Sequence, residues 1–133
     1  MSQKVRAVVI DDLDYCRDLL ACFLVEQGYQ VESYASAKSS SVCSRKGGRC
    51  PSEHACADLL LTDNKMPLLT GIEFVEDQAA NGCKLVAGKK AILSGSWTDE
   101  ELEKARALGC KTFEKPYNLQ ALNDWLNATE VRT

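Results

Sequence analysis

Residues 57–71 of the chain, ADLLLTDNKMPLLTG, are the most informative stretch for its architecture. The stretch begins with a near-continuous apolar run that ends at Asp63, as expected for a strand buried on both faces of a sheet. It continues with Met66-Pro67 and Gly71, which are typical of a loop that leads into a helix. A carboxylate at the C-terminal end of a buried strand lies where open α/β sheets build their sites. The stretch therefore predicts an α/β fold with a functional residue at Asp63.

Strand and helix patterns alternate along the whole chain. Short apolar runs, several of them rich in β-branched residues, predict strands at 5–10, 30–34, 57–62, 90–93 and 111–114. Apolar residues at helical spacing follow the strands, with glycines such as Gly28 and Gly109 at helix ends. Capping boxes begin at Thr70 and Thr98, and Asn118 is expected to cap the last helix. Such βαβ units predict a parallel sheet, in which all strand-to-helix loops lie at one edge.

Length and composition indicate a single domain spanning residues 1–133. A short, serine-rich helix is expected over 35–43, and turn residues then mark an insertion loop at about 45–56. The net charge of -3 gives no electrostatic reason to bind nucleic acid or an anionic membrane directly. Because no export signal and no membrane-spanning stretch are visible, we expect a cytoplasmic protein.

Polar side chains occupy the ends of four predicted strands. Asp11 and Asp12 follow the first strand, Asp63 the third, Ser94 ends the fourth and Lys115 the fifth. Three carboxylates at one sheet edge repel one another unless a cation lies between them, and Mg²⁺ prefers such oxygen ligands. A phosphoryl group on Asp63 would then have the metal, the Lys115 ammonium and the Ser94 hydroxyl as partners. Each residue alone also fits a structural role, such as a helix N-cap or a surface charge, but their coincidence favours a site.

These residues resemble the receiver domain of two-component response regulators over essentially the whole chain except the loop at 45–55. The matching motifs are the acidic pair Asp11-Asp12, Asp63 with its Met-Pro and Gly pattern, Ser94, and Lys115 followed by proline. The resemblance implies a flavodoxin-like (βα)5 fold. In that fold, a five-stranded parallel sheet with strand order 2-1-3-4-5 lies between two layers of helices.

The resemblance also implies a function. Asp63 would take a phosphoryl group from the phosphohistidine of a sensor histidine kinase or a phosphotransfer protein, and the change would alter binding of an output protein or domain. Asp12 would bind Mg²⁺ directly, with Asp11 nearby and the main-chain carbonyl of Lys65 as a further ligand. Such a chain turns over no external substrate, so we do not expect an ordinary enzyme. Both a stand-alone regulator and a receiver cut from a longer protein fit the sequence.

Two other classes of function use some of the same residues. A Mg²⁺-dependent hydrolase with Asp63 as nucleophile typically carries a second acid two positions later, whereas this chain has Lys65 there. A degenerate receiver that serves only as a docking module is the other alternative, and the complete set of site residues argues against it.

Two positions depart from the family's pattern. The family usually carries an aromatic switch residue three positions before the conserved lysine, where this chain has Thr112 followed by Phe113. Because successive side chains of a strand point to opposite faces, Phe113 is not a simple replacement. Trp97, just past the fourth strand, either gates access to Asp63 or covers the helix that follows.

Seven cysteines, an odd number without an export signal, argue for reduced thiols. Several of them lie in helix-to-strand connections and are therefore expected at the sheet edge opposite Asp63. There, a tetrahedral Zn²⁺ site would use Cys50, His54, Cys56 and Cys83, with Cys43 as a substitute ligand. The spacing lacks the paired Cys-x-x-Cys of strong zinc motifs, and a redox-labile Cys50–Cys56 pair is a further alternative.

Overall fold

The computed structural model describes residues 5–35, 57–66, 69–80, 85, 87–115 and 118–128. Within these ranges the chain forms strands β1 (Arg6–Ile10), β2 (Gln30–Tyr34), β3 (Leu59–Asp63), β4 (Lys90–Ser94) and β5 (Lys111–Glu114). The α-helices in the same ranges are α1 (Asp14–Glu26), α2 (Gly71–Ala80), α3 (Asp99–Leu108) and α4 (Leu119–Ala128). These elements confirm the predicted alternation, with ends shifted by one or two residues. The predicted helix at 35–43 and the insertion loop at 45–56 lie outside the described residues.

The five strands form one parallel sheet in the order β2-β1-β3-β4-β5, as predicted. The central pairs align Ile10 with Thr62 and Asp63 with Leu93. Every residue of β3 and β4 is buried, whereas the outer strands β2 and β5 keep exposed positions. This pattern explains why the apolar runs of the inner strands are continuous.

Successive strand side chains pack alternately into two hydrophobic cores, one on each face of the sheet. Leu61, Leu93 and Phe113 pack with α1 and α4 on one face. On the other face Leu60 packs with Phe74 of α2, and Ile92 packs with Ala105 of α3. The described helices therefore form two layers around the sheet, which confirms the three-layer α/β architecture.

Helix caps fix the loops that follow the strands. The capping box of α3 is complete, and Gly109, where φ is 83°, caps the C-terminal end of the helix. In the box of α2, Thr70 Oγ1 accepts the Glu73 N–H at 3.1 Å and Glu73 Oε1 accepts the Thr70 N–H at 2.9 Å. Asn118 Oδ1 accepts the Ala121 N–H at 3.1 Å and caps α4. All three caps predicted from the sequence are therefore present.

Among the described helices, none combines the length and the apolar character that a bilayer span requires.

Candidate functional site

Three carboxylates converge at the C-terminal edge of the sheet. Asp11 and Asp12 follow β1 and Asp63 ends β3, so the parallel topology brings them together. One carboxylate oxygen from each lies within 4.8 Å of those of the other two. Asp11 and Asp63 are buried, and Asp12 is the most exposed of the three. The convergence predicted for these residues is therefore present, and their carboxylates are close enough together to be ligands of one metal ion.

Lys115, directly after β5, reaches into this cluster. Its Nζ lies 2.9 Å from Asp11 Oδ2 and 3.2 Å from Asp63 Oδ1. The exposed side-chain fractions are 13% for Lys115, 1% for Asp11 and 4% for Asp63, so these contacts are shielded from water. Burial alone would lower the pKa of Lys115, but the Asp11 and Asp63 carboxylates outweigh it and raise that pKa.

The electrostatic balance of the cluster leaves room for a further cation. Burial, followed by repulsion from Asp11, raises the pKa of Asp63 to about 6, and Lys115 offsets only part of this effect. One ammonium therefore compensates three carboxylates incompletely. Hard oxygen donors with excess negative charge are what Mg²⁺ requires, so the residues present fit this ion.

The β1–α1 loop is held by contacts to Asp11 and to its main chain. The Asp11 N–H donates to the Tyr34 carbonyl at 3.1 Å, and Asp11 Oδ1 accepts the Leu13 N–H at 2.9 Å. Arg17 donates to the Asp11 carbonyl at 2.8 Å and pairs with Asp14. Arg17 is not among the site residues predicted from the sequence. A cation in the first turn of a helix is unfavourable because of the helix dipole. The position of Arg17 in the sequence therefore suggests that its side chain has a specific partner.

The loop after Asp63 is organised by Asn64, which is not among the predicted site residues either. The Asn64 carbonyl accepts the N–H groups of Met66 at 3.0 Å and Gly71 at 3.1 Å. Its side-chain Oδ1 accepts the Ile72 N–H at 3.1 Å. A Cβ on Gly71 would lie 2.6 Å from the Asp63 carbonyl oxygen, so the close approach of α2 to this loop requires glycine.

Ser94 ends β4, and the side chains of Ser94 and Lys65 contact partners outside the acidic cluster. The Ser94 hydroxyl donates to the Ser96 carbonyl at 2.9 Å and accepts the Ser96 N–H at 3.2 Å. The Ser94 carbonyl accepts the Lys115 N–H at 3.0 Å, which ties the two strand ends together. Lys65 Nζ lies 2.6 Å from Glu101 Oε2 of α3.

The aromatic residues confirm the departure seen in the sequence. Phe113 lies on the α1/α4 face, where its ring meets Trp125 edge-on with centroids 5.8 Å apart. Thr112 pairs in register with Ile92, on the face of α2 and α3. Trp97 packs against that same cluster and donates its indole N–H to the Phe113 carbonyl at 2.9 Å. Trp97 therefore lies at the junction of α3 and β5.

The proposed zinc ligands Cys50, His54, Cys56 and Cys83, and the substitute Cys43, lie outside the described residues. The cysteines that the structure describes carry free thiols: Cys16, Cys22 and Cys110. Burial raises the pKa of the Cys110 thiol, which keeps it protonated at neutral pH.

No family model matches the sequence, and no curated protein matches it. The structure is similar to that of a response regulator receiver protein from Pseudomonas putida, at a TM-score of 0.77 and 20% identity over 96% of this chain and 99% of that one. A CheY-like receiver domain protein from Methanospirillum hungatei gives a TM-score of 0.74 and 20% identity over 96% and 94% of the two chains. The chemotaxis protein CheY4 of Vibrio cholerae gives a TM-score of 0.69 and 21% identity over 95% of this chain and 98% of that one. The chain therefore has the fold of CheY-like response-regulator receiver domains.

Proposed function

We propose that this chain is the phosphoacceptor receiver of a two-component phosphorelay and that Asp63 carries the phosphoryl group. The observation that supports the proposal most directly is the contact of Lys115 with both Asp11 and Asp63, at 2.9 and 3.2 Å, beside a third carboxylate. A nucleophile, a cation and metal-binding oxygens then lie together at the edge where this fold builds its sites.

The proposed reaction transfers a phosphoryl group from a donor phosphohistidine to Asp63. An Asp63 carboxylate oxygen forms the new O–P bond as the N–P bond of the donor breaks, and the electron pair returns to the histidine nitrogen. Because its pKa is about 6, Asp63 is mainly ionised at neutral pH and can act as the nucleophile. Lys115 lies 3.2 Å from Asp63 Oδ1 and can balance charge on the transferred group.

Mg²⁺ held by Asp11, Asp12, Asp63 and the Lys65 carbonyl would supply further compensation of the phosphoryl charge. Ser94 is the remaining partner of that group. Its hydroxyl is engaged with Ser96 in this structure, so contact with the phosphoryl oxygens requires it to exchange these hydrogen bonds. This exchange would transmit the state of Asp63 to the β4–α3 loop.

The proposed partners are a sensor histidine kinase or phosphotransfer protein and an output protein or domain whose binding depends on phosphorylation. The proposed location is the cytoplasm. We further propose that the chain turns over no external substrate. Lys65 occupies the position where hydrolases with an aspartyl nucleophile carry a second acid, and its ammonium pairs with Glu101 at 2.6 Å.

Labelling with acetyl phosphate in the presence of Mg²⁺, followed by mapping of the modified peptide, tests the proposal. Asp63→Asn should abolish labelling and leave the circular dichroism spectrum unchanged. Asp58→Asn is the matched control, because Asp58 precedes the same strand at its opposite end and accepts the Arg6 N–H at 2.9 Å. Equal labelling of Asp63→Asn and the parent would refute the assignment of the acceptor. A parent chain that takes no label would instead favour the docking-module alternative.

A further inference from the structure

Glu101, in the first turn of α3, uses its two carboxylate oxygens for different partners. Oε1 accepts the Thr98 N–H at 3.0 Å and completes the capping box of its own helix. Oε2 accepts the Asn64 side-chain N–H at 3.1 Å and lies 2.6 Å from Lys65 Nζ. One side chain of α3 therefore holds both residues that follow Asp63.

The contact with Lys65 is too exposed to contribute much stability. The Lys65 side chain is 49% exposed, and exposed ion pairs of this kind contribute little to stability. The hydrogen bond from Lys65 lowers the pKa of Glu101, so the carboxylate stays ionised at neutral pH. The main effect of these contacts is to fix the geometry of the loop that follows Asp63.

Asn64 makes this geometry rigid. It is 1% exposed, and its amide lies between an N–H of α2 and the carboxylate of Glu101. The Ile72 N–H requires the amide oxygen on one side, and Glu101 requires the amide nitrogen on the other. Because each partner accepts only one orientation, removing Oε2 of Glu101 releases one side of the Asn64 amide together with the Lys65 ammonium.

We propose that Glu101 is a positioning residue for Mg²⁺: it holds the Asn64–Lys65 segment, and with it the Lys65 main-chain carbonyl, in one place relative to Asp63. The inference rests on the proposed function, which assigns that carbonyl to the metal. Groups that orient metal ligands without touching the metal typically contribute about 10–100-fold to affinity. Coupling of binding free energies is reciprocal, so Mg²⁺ should in turn stabilise the Glu101 contacts and the first turn of α3.

Glu101→Gln separates the two roles of the side chain. Glutamine also completes a capping box, through its single carbonyl oxygen. Its NH2 group then faces the Asn64 amide nitrogen and the Lys65 ammonium, so donors meet donors and the loop contacts are lost. Glu100→Gln is the matched control for charge, since Glu100 lies on the same helical turn and its side chain is 3.8 Å from Lys104. Thr98→Ala is the control for the cap, because it removes the hydroxyl and leaves Oε2 of Glu101 in place.

The test measures the Mg²⁺ dissociation constant of each full chain by isothermal titration calorimetry, with urea unfolding as a parallel measure of stability. Glu101→Gln should raise the dissociation constant by about tenfold, whereas Glu100→Gln and Thr98→Ala leave it unchanged and Thr98→Ala lowers the urea midpoint. Hydrogen exchange in the first turn of α3 should slow on Mg²⁺ addition in the parent and much less in Glu101→Gln.

Two outcomes overturn the inference, and they are distinguishable. If the parent binds Mg²⁺ and Glu101→Gln binds it equally well, or if Glu100→Gln weakens binding as much, the positioning role is wrong and the proposed function stands. If the parent binds no Mg²⁺, both the metal part of the proposed function and the role of Glu101 are wrong.

Discussion

The Lys115 ammonium lies closer to Asp11, at 2.9 Å, than to Asp63, at 3.2 Å. The other oxygen of Asp11 accepts the Leu13 N–H, so this carboxylate is anchored on both sides. Lys115 therefore bridges a fixed acid and the proposed phosphoacceptor. Its charge compensates two buried carboxylates.

Replacing Lys115 by methionine should destabilise the metal-free protein. Removing one partner of a buried charge pair typically costs about 3–5 kcal/mol, and the cost here should be smaller because Asp63 can protonate in response. Added Mg²⁺ should restore most of the lost stability. Acetyl phosphate should still label Asp63, but the labelling should no longer alter the protein surface. Urea unfolding with EDTA or with Mg²⁺ measures the effect. Lys111→Met is the control, since Lys111 begins the same strand and lies over the Phe113 ring at 5.6 Å. Equal stability of Lys115→Met and the parent in EDTA would contradict the compensating role.

The raised pKa of Asp63 predicts a stability that depends on pH in a defined direction. Its pKa is about 6 in the folded chain against an ordinary value of 3.8. Between these values the folded state holds more protons than the unfolded state, so the free energy of unfolding falls as pH rises through this window and stays lower above it. At neutral pH the raised pKa of Asp63 lowers the free energy of unfolding by an amount on the order of 3 kcal/mol.

Asp63→Asn should therefore be more stable than the parent at neutral pH without Mg²⁺, and the advantage should vanish as pH falls below 3.8. Urea unfolding in EDTA across this pH range gives the difference directly. Asp58→Asn provides the control, because this exposed carboxylate lies at the opposite edge of the sheet. A parent as stable as Asp63→Asn at neutral pH would contradict the raised pKa. Mg²⁺ should reverse the order, since it binds the carboxylate and not the amide.

The main parts of the site could be predicted because they depend on topology. Asp11, Asp63 and Lys115 each follow a strand, and parallel strands bring such positions to one edge whatever the details of packing. The face of Phe113 was predictable for a similar reason, because the two-residue period of a strand assigns it. Predictions of this kind require only the order of the elements.

The supporting contacts could not be predicted because they depend on side-chain directions across distant segments. Asn64 and Glu101 are 37 positions apart in the chain, and nothing in either local sequence specifies their hydrogen bond. The capping box predicted from the sequence accounts for one carboxylate oxygen of Glu101. Nothing in the local sequence indicates that the other oxygen contacts Asn64 and Lys65. Ser94 shows the same limit: its strand end was predicted, whereas the bond of its hydroxyl to Ser96 follows from the path of the loop.

Gly71→Ala should disturb the site through a backbone clash. The added Cβ would lie 2.6 Å from the Asp63 carbonyl oxygen and 3.2 Å from Asn64 Cα, and neither atom can move without displacing the loop that follows Asp63. Overpacking of this kind costs about 1–3 kcal/mol. Urea unfolding and Mg²⁺ titration should both show a loss. Gly95→Ala is the control, because nothing lies within 4 Å of a Cβ built there. A more stable Gly71→Ala would show that α2 moves away freely.

Trp97→Phe distinguishes a covering role from a gating role. The indole packs against the cluster beside α3 and donates to the Phe113 carbonyl at 2.9 Å, so phenylalanine keeps most of the packing and loses the hydrogen bond. The expected loss is about 1 kcal/mol of stability by urea unfolding. The rate at which acetyl phosphate labels Asp63 should stay unchanged, because this contact holds the ring to β5. Trp125→Phe serves as the control, since it also loses an indole but on the opposite face of the sheet. A labelling rate that rises severalfold in Trp97→Phe and not in Trp125→Phe would mean that the ring restricts entry to Asp63, and the covering role would then be wrong.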